Sequence, residues 1–92
     1  MDKHAKEVYE RYKHKGNLID RAIRILDAKG VKNNRGKSFS YHSVQNYVYS
    51  PKHEDVRLDR AIIEAAIEYE EEKRKESEEL AQLAAQLEGA EN

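Results

Sequence analysis

The spacing of apolar residues in "LIDRAIRILDAKG", residues 18–30, constrains the fold of this chain more than any other feature. Leu18, Ile19, Ala22, Ile23 and Leu26 recur at i, i+1, i+4, i+5 and i+8, the stripe of a helix with one buried side. Arg21, Arg24 and Asp27 are left for the wet side. Gly30 follows where a left-handed residue closes a helix, and Val31 is placed to pack back over the last turn. The same period, with little alternation at period two, runs through the rest. Residues 2–15 set Ala5, Val8, Tyr9 and Tyr12 on one face before Gly16 ends that helix, and Asn17 with Asp20 signals the next start. The fold class this predicts is all-α.

The stretch "SFSYHSVQNYVYSP", residues 38–51, is a short helix of unusual make-up. Ser40 can cap it by accepting from an amide of its first turn, and Pro51 cannot extend it, which predicts a helix over 41–49. At 100° per residue, Tyr41, Val44 and Val48 fall on one side with Tyr47 at the margin, and His42, Gln45, Asn46 and Tyr49 fall on the other. That second stripe carries hydrogen-bonding tips and almost no charge. A face built only for solubility would carry Lys and Glu, as the first and last helices do. Gln and Asn are the side chains that pair in bidentate fashion with adenine in the major groove. Lys32, Arg35, Lys37 and Ser40 before this helix, and Lys52 after it, are placed to hold phosphates. The plainer alternative is a surface helix with solvated amides and half-buried tyrosines.

Charge supports a polyanionic partner. Residues 1–53 carry 12 Lys+Arg against 5 Asp+Glu, and residues 54–92 carry 5 against 13, a division of +7 and −8. The acidic half can equally neutralise the basic half within a fold or an oligomer. It begins near Asp55 with a long helix whose apolar side is Val56, Leu58, Ile62, Ile63, Ala66 and Ile67, closed by Tyr69. Residues 70–79, EEEKRKESEE, are polar all round, and Leu80, Leu83 and Leu87 form a last stripe before Gly89. Two segments are therefore expected: a DNA-binding unit over 1–69, and an acidic helical tail over 70–92 that pairs copies or frays.

An amphipathic helix with a glycine stop, a turn and a second short helix is the layout of a helix-turn-helix. "SYHSVQNYVYSP" followed by "VRLDRAIIEAAIEYEE" resembles phage and mobile-element repressors of the lambda repressor/Cro-like helix-turn-helix class. "AKGVKNNRGKSFSYHSVQNYVY" is also similar to the DNA-binding segment of serine recombinases, through its Gly-Val, Arg-Gly-Lys and aromatic-Ser elements. The resemblance covers about residues 17–69. It implies a bundle of four to five helices, Ser43 and Val44 as the recognition-helix signature, and His42, Gln45 and Asn46 facing bases. The turn from Gly30 to Ser40 departs from that class by exceeding its usual three or four residues. No recombinase catalytic domain accompanies it.

The function expected is sequence-specific binding of duplex DNA as a transcriptional regulator, most economically as a homodimer. The alternative is a protein-interaction module using the tyrosine-rich face. Other chemistry is poorly supplied. His4, His14, His42 and His53 lack the spacing of a helical metal pair, and no cysteine exists to join them, so neither metal nor cofactor is expected. No nucleophile elbow or phosphate-cradling loop is present, so no enzymatic activity is expected. The longest apolar run is far short of a membrane span, no secretory segment follows Met1, and a cytoplasmic location is expected.

Overall fold

The computed structural model describes residues 1–50 and 53–90 and contains four helices: α1 (Lys3–Tyr12), α2 (Leu18–Ala28), α3 (Tyr41–Tyr49) and α4 (Val56–Ala90). The all-α class holds, with four helices where the sequence left room for a fifth. No strand occurs among the described residues, and none of their helices is long and apolar enough to cross a membrane. Pro51 and Lys52, the expected helix stop and one expected phosphate contact, lie outside the described residues.

Local chemistry sets the boundaries. Asp2 caps α1, its carboxylate accepting from the amides of His4 and Ala5. The end of α2 is a Schellman turn: Gly30 takes φ 69°, its amide bonds the Asp27 carbonyl, and the Val31 amide bonds the Leu26 carbonyl. Val31 packs on the core as its position in the sequence predicts. Ser40 caps α3 and forms a reciprocal box with Ser43, each hydroxyl accepting from the other's amide at 3.1 Å. The Asn17 signal works differently from expectation. It occupies the N-cap of α2 with φ 51°, and its side chain makes no capping bond.

The core gathers one face from each helix: Ala5 and Tyr9 of α1, Leu18, Ile19, Ala22 and Leu26 of α2, Val44 and Tyr47 of α3, and Leu58, Ala61, Ile62, Ala65 and Ala66 of α4, with Phe39 from the preceding loop. Two readings of individual faces are corrected. Tyr47, not Tyr41, turns inward from α3, and Tyr41 is 45% exposed. On α4 the small residues Ala61 and Ala65 face the body, while Val56 and Ile67 face out, because the close approach of α2 selects the alanine side.

Arg21 is a third correction. It is buried, and its guanidinium reaches from α2 to Glu68 and Glu72 of α4, 2.8 Å from each. Its Nε also donates to the Gly16 carbonyl, and its guanidinium lies over the Tyr69 ring. Glu72 is held below its ordinary pKa by that bond. Lys29 pairs with Glu64 in the same way. The molecule measures 62 × 26 × 17 Å because α4 continues past the body without a break across residues 69–70, and residues 70–89 are exposed throughout.

Candidate nucleic-acid interface

Helix α3 is held on the body by a buried polar hub beneath it. The Tyr47 hydroxyl donates to Asp59 Oδ1 at 2.7 Å and accepts from the Asp55 amide at 2.9 Å. Asp59 Oδ2 accepts from the Asp2 amide, so one carboxylate joins the start of α1 to α3 and α4. Burial, and then the bond to Asp59, push the Tyr47 phenol well above its ordinary pKa. The hydroxyl is therefore a permanent donor at neutral pH. With Val44 wholly buried beside it, α3 has one fixed rotation about its axis.

That rotation divides the expected reading stripe in two. His42 and Asn46, one turn apart, point outward and are exposed. Gln45 is half-buried and shares a different face with Tyr41 and Tyr49, along a groove of about 360 Å³ between α3 and the end of α1. Tyr49 is 70% exposed and stands at the mouth of that groove. Across from it lie Tyr9, Lys13 and His14, which the sequence reading did not place at the site. Burial, and next the neighbouring Tyr49 hydroxyl, push the Tyr9 phenol up to about 12. The signal for this juxtaposition is the corner at Gly16 and Asn17, two consecutive positive φ values that swing the end of α1 toward α3.

The expected phosphate contacts lie together on the loop before α3. Asn33 closes this loop: its amide bonds the Lys37 carbonyl at 2.7 Å, and its side-chain oxygen accepts from the amides of Arg35 and Lys37. Gly36 supplies the positive φ the turn requires. Arg57 of α4 fastens the loop from below, donating to the Lys32 carbonyl and lying over the Phe39 ring. Lys32, Arg35 and Lys37 are exposed, and none sits within ion-pairing distance of a carboxylate among the described residues. Ser40 has its hydroxyl oxygen engaged in the cap of α3 and remains at the surface.

The arrangement is a braced helix with uncharged hydrogen-bonding tips, entered from a hydrogen-bonded turn bearing three cations that make no ion pair among the described residues. No cluster of residues suited to a metal ion occurs among the described residues. No family model, curated protein or solved structure matches the chain.

Proposed function

We propose that the chain binds duplex DNA in a sequence-selective manner and acts as a transcriptional regulator of the helix-turn-helix kind. In this reading α3 lies in the major groove. His42, Asn46, Gln45 and Tyr49 meet base edges, and Lys32, Arg35, Lys37, Ser40 and, by its position in the sequence, Lys52 meet phosphates. No reaction is assigned to it, and its place is the cytoplasm, where the DNA of a phage or mobile element is available to such a regulator. The observation that carries the reading is a contrast in pairing. Arg21 and Lys29 are neutralised by α4, whereas Lys32, Arg35 and Lys37, next to α3, are not. Three exposed cations thus stand beside a helix that carries no Asp, Glu, Lys or Arg of its own.

Titration of labelled duplex at several salt concentrations tests this. Contact with four to six phosphates gives log K a slope of about −4 to −5 against log salt. Asn46→Ala or Gln45→Ala costs about 1–3 kcal/mol on a selected site and little on scrambled DNA, while Lys37→Ala weakens both alike. Absence of binding at low salt removes the proposal.

The tyrosine groove favours a second reading. Tyr9, Tyr41 and Tyr49 converge on one concave surface of the kind protein interfaces use, so a partner helix seated there is the alternative function. Loss of partner binding on Tyr49→Ala, with no DNA affinity in the parent chain, would establish it instead. On either reading two copies joined through α4 double the recognition surface, as a single short helix reads few base pairs.

A further inference from the structure

The end of α1 divides its cations between two sides. Arg11 and Lys15 lie over the Tyr12 ring, 5.7 Å and 5.6 Å from its centre, and that ring meets Tyr69 of α4. Lys13 and His14 line the groove beside α3 instead, with Tyr49 at its mouth. Both residues are exposed. Lys13 is close enough to Tyr49 for the two to interact electrostatically.

Tyr49 ties this corner to the outer face of α3. At 100° per residue it stands about 20° from His42 and about 60° from Asn46. A surface that meets His42 and Asn46 therefore also meets the groove mouth, at the last turn of α3. The loop cations belong to the first turn, since residues 32–37 lead directly into the Ser40 cap. From Tyr41 to Tyr49 the helix rises about 12 Å, and the major groove is about 12 Å wide between its phosphate walls. A helix held only at its first turn can pivot about that point. A cation at its other end removes the pivot.

We propose that Lys13 and His14 form a second phosphate anchor, at the opposite end of α3 from the loop, so that the helix is pinned to both strands bordering the major groove. The Lys13 ammonium supplies charge, and His14 supplies a ring N–H that the neutral and the protonated imidazole both carry. Two carboxylates face this corner. Glu10 holds Lys13 at 2.7 Å, in an exposed pair at i, i+3 of the weak kind a phosphate can displace. Asp20 lines the groove from the first turn of α2, and its charge favours a phosphate at the mouth over one inside. An apolar partner helix would have to cover Lys13, His14, Asn17 and Asp20, so the corner suits a phosphate better. The inference rests on the DNA reading and adds a contact which that reading lacks.

Duplex titrations of full-length variants at several salt concentrations test it, with circular dichroism as the fold control. Lys13→Ala should reduce the slope of log K against log salt by about 0.9 and weaken selected and scrambled DNA alike. Lys15→Ala, the same loss of charge two residues on, should leave the slope as it is. His14→Ala should weaken binding about fivefold to tenfold on both DNAs. Glu10→Gln, which frees Lys13, should tighten it. An unchanged slope for Lys13→Ala, or equal reductions for Lys13→Ala and Lys15→Ala, overturns the anchor and leaves the DNA reading standing. A parent chain that binds no duplex at about 50 mM salt overturns both, and leaves the groove to a protein partner.

Discussion

Replacing Tyr47 by Phe removes one oxygen atom and tests what holds α3 in place. The ring stays buried in the same core cluster, so the apolar contribution is unchanged. Two bonds are lost: the donor to Asp59 Oδ1 at 2.7 Å and the acceptor for the Asp55 amide at 2.9 Å. A hydrogen bond to a buried charged acceptor contributes about 1.5–3 kcal/mol, and stranding such a group costs at least as much as losing its partner. The Asp55 amide lies nearer the surface, where water can replace the phenol, and adds less than about 1 kcal/mol. The expected loss is therefore about 2–3 kcal/mol out of a total stability of roughly 5–15 kcal/mol. A domain of this size melts about 4–8 °C lower per kcal/mol, which places the fall near 10–20 °C.

Tyr49→Phe is the internal control. It is the same chemical change two residues along the same helix, at a side chain 70% exposed, and should cost under about 0.5 kcal/mol. Urea denaturation followed by circular dichroism measures both. Equal losses for the two variants would show that the hub under α3 does not brace it, and the single rotation assigned to α3 would lose its support.

Further variants probe the same frame. Arg21→Ala should cost about 2–3 kcal/mol in urea denaturation, from a buried guanidinium that serves Gly16, Glu68 and Glu72, while Glu72→Gln at the exposed end should cost clearly less. Gly16→Ala should destabilise by about 2 kcal/mol or more, since φ 61° disfavours a side chain and the added methyl would meet the Tyr69 ring. Tyr9 has an ordinary pKa of 10.0 raised to about 12, so its contribution is intact below pH 10 and lost as pH climbs from 10 toward 12. Tyr9→Phe should flatten that part of the alkaline unfolding curve, read by circular dichroism against pH.

What the sequence revealed, and what it concealed, follows from the range of each interaction. Signals confined to a few neighbouring residues were legible: the glycine turn after α2, the Ser40 cap and both ends of α3. The stripe of α2 was legible because its apolar residues outnumber the polar ones on one side. Helix α3 spreads five aromatic or β-branched residues, Tyr41, Val44, Tyr47, Val48 and Tyr49, over more than one stripe, so periodicity alone left Tyr41 and Tyr47 exchangeable. The partner that decided between them is Asp59, twelve residues away on another helix. Likewise Arg21 read as a solvent-facing residue until Gly16 and α4 closed around its long stem, burying a charge that no local pattern marks. Lys13 and His14 escaped the site because two left-handed residues, 16 and 17, reverse the chain just after them.

The division of charge along the chain shows how one pattern can serve two purposes. Read as composition, +7 against −8 admits either attraction to a polyanion or internal neutralisation. The fold uses the acidic half selectively. Glu64, Glu68 and Glu72 lie at successive turns of α4 and form their ion pairs, among the described residues, with Lys29 and Arg21 of α2. This pairing docks α2, the helix that α3 leans on, and it leaves the loop cations Lys32, Arg35 and Lys37 out of reach. Had the glutamates of α4 been spaced to reach that loop, the surface around α3 would be neutral and the DNA proposal would have no electrostatic basis.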